Sequence, residues 1–244
     1  HVGPRGLEYD RRWMVIDAAG RFITARKTPS LLGITAIPRM DGTLRLTAQG
    51  QGPCLACVTD PSDLITSTVW GDECTATHVQ GADQWLSTLL DQPARLVYMH
   101  DTLHRPVNPV HAQPGDIVSF ADGYPLLVAG QSSLDDLNTR LAQPVTMARF
   151  RPNLVIEGTE PYEEYKWQRI RVGELEFACA GPCVRCVMTT RDPDTGKTDG
   201  STEPLKTLST YLRNDKGPIF GVNFIPRTTG MITVGQTVEV LELK

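Results

Sequence analysis

Half of the six cysteines in this 244-residue chain fall in one short stretch, "ACAGPCVRCVMTTRDPDTG", from Ala178 to Gly196. Sulfur at that density has four ordinary uses: a disulfide, a zinc clip, a reactive thiol, or a thiolate ligand for a softer metal. A chain of this length buries a core without covalent staples, and its cysteine usage is ordinary. The thiols are therefore read as reduced and the compartment as cytoplasmic. Cys54-x-x-Cys57 and Cys183-x-x-Cys186 have the knuckle spacing that zinc favours. The gap between the two pairs, however, is several times the roughly 15 to 20 residues of a zinc ribbon. Cys54, Cys57 and Cys74 lie in strand-like apolar surroundings, where a free cysteine packs as a small hydrophobe. On an extended segment Cys183 and Cys186, three positions apart, point to opposite faces, so at most one faces a given pocket. Arg185 adjoins Cys186, and a cationic neighbour favours the thiolate. Spacing alone leaves an inert pair and a functional pair both open.

The elements that must carry these residues are mostly strands. "RRWMVIDAAGRFITAR" (Arg11 to Arg26) reads as two strand-like segments around an Ala-Ala-Gly turn. Further short strands are expected at Leu44–Ala48, Cys54–Val58, Ser67–Trp70 and Cys74–Val79, spaced as in sandwiches and barrels. "GADQWLSTLLDQP" places Trp85, Leu89 and Leu90 on one helical face and stops at Pro93. From about Arg95 a second unit begins, its Pro-rich connection "HDTLHRPVNPVHAQPGD" joining strands at Arg95–Met99 and Ile117–Phe120. "SSLDDLNTRLA" reads as a helix capped by Ser132 or Ser133, with the Asp135-Asp136 pair suiting its N-terminal dipole. "EPLKTLSTYLRN" is a third helix, with Leu205, Leu208 and Leu212 on its apolar face. The remaining strands are expected at Leu154–Ile156, Gln168–Val172, Leu175–Ala178, Val184–Met188, Gly230–Val234 and Thr237–Leu243. The fold class is a β-rich α+β chain with about three helices, arranged as two barrel-like units in series.

A net charge of -4 with scattered Lys and Arg gives no footprint for nucleic acid. No apolar run approaches the roughly 18 to 20 residues of a membrane span. Small-molecule chemistry or a protein partner is expected instead. The chain opens at His1 rather than Met, so its natural N-terminus is expected to be trimmed or missing.

Six segments then occur in a distinctive order: "RFRPNLVIEG", "W..IRVGELEF", "GPCVRCVMTTRDPDTG", "EPLKTL", "FGVNF" and "GMITVGQTVEVLE". Together they resemble the MOSC family, named for the C-terminal domain of molybdenum cofactor sulfurase. Upstream, "YDRRWMVID...FITARKTP" resembles the N-terminal β-barrel that precedes that domain. The resemblance covers essentially the whole chain and is closest to the amidoxime-reducing and bacterial YcbX-type branches. It implies an N-terminal β-barrel domain over residues 1–100 and a MOSC domain over residues 101–244.

The resemblance also implies a molybdenum-pterin (molybdopterin) cofactor whose metal takes one protein cysteine. Matching "C-x-R-C-x-x-T-T" puts that metal ligand and catalytic position on Cys186, with Cys183 turned inward and Cys179 packed. Arg11 of "DRRW" and Arg151 of "FRPN" match cofactor contacts, and the planar guanidinium fork suits a phosphate. Asn153 can donate and accept toward the pterin. Arg26 in "TAR" carries over as a further cofactor contact, although a solvated strand end suits it equally. Asp122 in "FADG" carries over to the catalytic centre, although it is also a turn former. Thr189, Thr190 and Asp192 shape the loop. His100, His104 and His111 are open both as proton sources and as plain loop residues. At family level, pyridoxal phosphate binding is also associated with this domain type.

The activity so implied is two-electron reduction of small N-hydroxylated compounds: amidoximes, hydroxylamines or N-hydroxylated bases. Electrons would come from a separate donor protein of ferredoxin, flavodoxin or cytochrome type, because no cysteine run for an iron-sulfur cluster follows. The Lys-Ser segment that opens family members is absent before His1, which leaves cofactor retention an open question. The rival readings are a carrier that delivers the cofactor or its sulfur, and a zinc-clipped β protein.

Overall fold

Alternating apolar and polar positions in the first hundred residues fold as short antiparallel strands. The computed structural model describes residues 1–244. The chain divides into a smaller unit, Arg11–Arg105 with Pro193–Lys197, and a larger one, His1–Asp10 with Pro106–Asp192 and Thr198–Lys244.

In the smaller unit, β1 (Trp13–Ile16), β2 (Thr35–Pro38), β3 (Leu44–Ala48), β4 (Gln51–Ala56), β5 (Leu64–Val69), β6 (Asp72–Val79) and β7 (Arg95–Tyr98) form two antiparallel sheets. One has the order β1-β7-β6-β5 and the other β2-β3-β4. A reciprocal backbone pair between Cys57 and Gln80 joins them. The helix α1 (Asp83–Leu90) buries Leu86 and Leu90 in the core formed by Leu44, Leu46, Ala56, Val79 and Leu96. Trp85 and Leu89, expected on its buried face, pack only partly against that core. The helix ends on Asp91, which adopts a left-handed φ of 52°, before Pro93 is reached.

The larger unit is built on a seven-stranded sheet. Its strands are β8 (Leu126–Gly130), β9 (Leu154–Ile156), β10 (Trp167–Val172), β11 (Leu175–Val184), β12 (Arg213–Asn214), β13 (Gly217–Pro226) and β14 (Val238–Leu243). The order is β9-β8-β13-β11-β10-β14, with β12 on β13, and β8 with β9 is a parallel pair. One face buries Leu126, Val128, Trp167, Ile170, Phe177, Cys179, Val222 and Phe224. The other face carries α2 (Gln131–Thr139) and α3 (Leu205–Tyr211), whose Leu134, Leu137 and Leu208 pack with Phe150 and Phe220. The chain is thus β-rich with three helices, as its patterning implies.

Several local expectations are corrected. The strand expected at Val184–Met188 stops at Val184, and Val187–Thr190 form a 3-10 turn. Gly230–Val234 is no strand: Gly230 makes an isolated bridge to Val2, while Met231 and Val234 are exposed. Neither Ser132 nor Ser133 caps α2, because the helix starts at Gln131 with Gly130 at the cap position. Ser133 instead donates to the fully buried Glu164 carboxylate at 2.9 Å, and Gly130 N donates to the same group at 3.3 Å. The cap is therefore supplied from a distant part of the chain. Asp135 and Asp136 come too late for the dipole, and Asp136 pairs with Arg140 and accepts from the Tyr162 hydroxyl.

The seam between β11 and β13 positions the cysteine stretch. Cys179 faces Phe224 and Pro182 faces Val222, so three steps on β11 span two on β13. Val184 then faces Ile219, so two steps on β11 span three on β13. Each strand thus carries one β-bulge, and each bulge contains a glycine with positive φ, Gly181 at 91° and Gly221 at 75°. At Gly221 an added Cβ would lie 2.8 Å from the Val128 carbonyl oxygen, so only glycine lets β8 approach.

Candidate functional site

The bulge at Gly181 reverses the in-out order along β11. Cys179 belongs to the core, with its sulfur accepting from Gly181 N at 3.3 Å. Without the bulge Cys183, four positions on, would share that face. It instead meets Arg185, whose Nη1 donates to Cys183 Sγ at 2.9 Å. This corrects the expectation drawn from adjacency. On an extended segment residues two apart share a side, so Arg185 serves Cys183 rather than Cys186. Burial pushes the Cys183 thiol above its ordinary value; Arg185 opposes that shift, and the charges of Asp122 and Cys186 add to it. Asp122, Cys183, Arg185 and Cys186 therefore form one electrostatic neighbourhood in the larger unit.

Cys186 itself is a free, partly exposed thiol on extended backbone, φ -120° and ψ 176°. The turn that follows is braced backward. Thr189 donates to the Cys186 carbonyl from both its backbone N and its hydroxyl, each at 3.1 Å. The Thr190 hydroxyl donates to the Val187 carbonyl at 2.8 Å, and both threonines are buried. The Thr-Thr pair thus holds the backbone that carries the half-exposed Cys186.

A second segment is tied to the first. Arg185 Nη2 donates to the Phe150 carbonyl at 2.7 Å, and its guanidinium lies 5.6 Å from the Phe150 ring centroid. Phe150 stacks on Phe220 at 3.9 Å between centroids. Arg151, the next residue, is exposed and holds a left-handed φ of 53°, a conformation uncommon outside glycine. Asn153 fixes the end of this segment: its N donates to Leu127 O at 2.8 Å, and its side-chain oxygen accepts from Leu127 N at 2.9 Å. Asn153 Nδ2 donates to Asp10 at 2.9 Å. Its amide is thus committed chiefly to the protein's own backbone and carboxylate, which makes it a brace for the loop. Asp122 is exposed on a bend just before β8.

Arg11 and Arg26 belong to the smaller unit. Arg11 is partly buried with a left-handed φ of 51°. Its neighbour Arg12 is occupied internally, donating to the Met99 carbonyl and pairing with Asp101 at 2.8 Å. Arg26 is exposed and lies 4.3 Å over the Trp70 ring. His100, His104 and His111 are loop residues; the His111 ring sits against Gly181, 3.3 Å from where a Cβ would be. Sequence reasoning missed the bridging role of Arg185. Its signal was available, since Arg185 and Cys183 are two apart on an extended run.

Comparison with known proteins places these features in a family. Residues 1–93 match the MOSC N-terminal beta barrel domain, and residues 115–239 match the MOSC domain. The chain is 37% identical over 261 residues to mitochondrial amidoxime-reducing component 1 of Mus musculus, covering 97% of this chain and 74% of that protein. The Homo sapiens protein of the same name is 35% identical over 251 residues, covering 95% and 73%. Molybdenum cofactor sulfurase of Oryza sativa subsp. japonica is 30% identical over 246 residues, covering 89% of this chain and 29% of that protein. With both matched domains and relatives aligned along nearly its full length, the chain belongs to the MOSC family, and its similarity runs to the amidoxime-reducing components.

Proposed function

We propose that this chain is a molybdenum-pterin-dependent reductase of small N-hydroxylated compounds. The net reaction is R–NH–OH + 2 e⁻ + 2 H⁺ → R–NH₂ + H₂O, with both electrons drawn from a separate donor protein of ferredoxin, flavodoxin or cytochrome type. The observation that carries the reading is the contrast between two neighbouring thiols. Cys183 is engaged by the Arg185 guanidinium, whereas Cys186, half-exposed like Cys183, is left free at the head of a turn braced by Thr189.

The residues present fit the cofactor. A soft sulfur is the donor expected for a redox-active metal of this kind, and Cys186 offers one without competing partners from the fold. Cys186 would hold the metal, and Arg151 would grip the terminal phosphate through its planar fork. Arg11 and Arg26 are proposed as additional cofactor contacts, on the resemblance and the matched N-terminal domain. Asn153 contributes by holding the Arg151 loop against Leu127. Asp122 supplies a carboxylate beside the cysteine pair, where it can hold a proton for the departing water. When bound, the cofactor would supply the two-electron redox couple for the reduction.

One preparation tests the reading. The chain is expressed in a host that makes the pterin, with ample molybdate. Molybdenum and zinc per chain are then measured, and amidoxime reduction is assayed with an artificial electron donor. Near-stoichiometric molybdenum with turnover is the expected result. Molybdenum without turnover would favour a cofactor carrier, the reading to which the similarity with molybdenum cofactor sulfurase points. Stoichiometric zinc alone would overturn both.

A further inference from the structure

One half-buried guanidinium touches both segments of the candidate site. Arg185 Nη1 donates to Cys183 Sγ at 2.9 Å and Nη2 donates to the Phe150 carbonyl at 2.7 Å. Its own backbone N donates to Pro218 O at 2.8 Å, which anchors it to β13. Each end of this bridge is followed by a residue of the proposed cofactor site, Cys186 after Arg185 and Arg151 after Phe150. Arg151 also holds a left-handed φ of 53°, a conformation that strains a non-glycine residue and persists only where its surroundings enforce it. The enforcing contacts are on both sides: Arg185 holds the peptide before Arg151, and the Asn153–Leu127 pair holds the chain after Pro152.

We propose that Arg185 is a positioning residue, which locks the left-handed backbone of Arg151 and fixes it to the strand end that carries Cys186. Arg185 meets neither metal nor substrate in this role. It couples the grip on an anionic phosphate group to the placement of the metal ligand, so that the two ends of one cofactor are held at a set separation. The planar fork is essential, because two acceptors of different kind, a thiol sulfur and a peptide oxygen, are engaged by separate nitrogens. A lysine ammonium on its flexible stem offers a point charge and cannot reproduce that fork. The proposal rests on the reading of Arg151 as a phosphate contact, and its test separates the two.

The first arm needs no cofactor. Thermal midpoints of the metal-free full chain are compared for wild type, Arg185→Lys, Arg151→Gly and the double variant. Glycine accepts the left-handed φ without strain, so the loss caused by Arg185→Lys is expected to shrink markedly in the Arg151→Gly background. An undiminished loss there would overturn the positioning role. The second arm measures pterin retained per chain after gel filtration of the loaded protein. Arg185→Lys and Arg151→Ala are each expected to lower retention about tenfold or more, as supporting groups of metal sites do. The double variant is expected to be no worse than Arg151→Ala alone. Multiplying losses would overturn the coupling. Wild-type retention by Arg151→Ala, with the first arm as expected, would instead remove Arg151 from the phosphate site and leave Arg185 as a backbone clamp only.

Discussion

Cys54 and Cys57 in the smaller unit have the same spacing as Cys183 and Cys186 in the larger, and both pairs begin on a strand. A register shift on β4 precedes Cys54, which is buried with its sulfur donating to Gly81 O at 3.1 Å, and pairing continues past the cysteines, where Cys57 exchanges backbone hydrogen bonds with Gln80. A bulge likewise precedes Cys183, but here a tight turn begins directly after Cys186. Cys57 and Cys186 are both half-exposed, so the identical spacing differs in its continuation: a paired strand after Cys57 and a tight turn after Cys186. Chemistry is decided by the backbone that flanks the pair, and four experiments press on that contrast.

The largest effect is expected at the sulfurs themselves. Cys186→Ser is expected to abolish amidoxime reduction and bound molybdenum, while Cys57→Ser leaves both near wild type; activity and metal analysis on one preparation of each check this. Equal losses would erase the distinction. Next in size is Gly221→Ala, whose new Cβ would meet the Val128 carbonyl at 2.8 Å under a φ of 75°. It is expected to cost about 2 to 3 kcal/mol in denaturant unfolding. The equivalent change at Gly42, where nothing lies within 4 Å, lacks the clash and is expected to cost less.

The carboxylates extend the comparison. In the smaller unit Asp41 and Asp60 are held below their ordinary value, first by side-chain hydrogen bonds from Thr43 and Ser62. In the larger unit burial raises Glu164 above its ordinary value of 4.5, against the hydrogen bonds from Ser133 and Gly130. A raised folded value means the folded chain keeps its proton longer than the unfolded chain. Stability from Glu164 is therefore full below pH 4.5 and declines as pH rises from there through the folded value. Glu164→Gln is expected to lack that decline, a difference of at most about 1.4 kcal/mol per pH unit. Unfolding midpoints measured against pH for both forms show it, and parallel curves would refute it. The smallest effect is Cys183→Ser, expected to cost about 1 kcal/mol of stability while molybdenum is retained.

Legibility from sequence follows the same division. In the smaller unit, strands such as Leu44–Ala48 alternate buried and exposed side chains, and the chain announces them. The centre of the larger sheet is silent for the opposite reason. All five residues of Leu126–Gly130 are buried, and Gly217–Pro226 is buried over most of its length, so neither shows a period of two. In the sequence they stand out only as an apolar run and a family segment. The Cys186 position is proposed from its motif, while parity along an extended chain pairs Cys183 with Arg185. Arg185 is misassigned when adjacency in sequence is weighed above the two-residue repeat of an extended chain. The cap on α2 is illegible in principle, since Glu164 arrives from more than thirty positions away.

The two bulges between β11 and β13 cancel one another. After the slip at Gly181 and the answering slip at Gly221, the pairing of Val184 with Ile219 is back in the phase set by Cys179 and Phe224. Distortion is thereby confined to a window a few residues wide, and the hydrogen-bonded rungs beyond it run undisturbed. Such a local dislocation lets the loop that bears Cys186 be re-aimed or resized without unzipping the sheet that supports it.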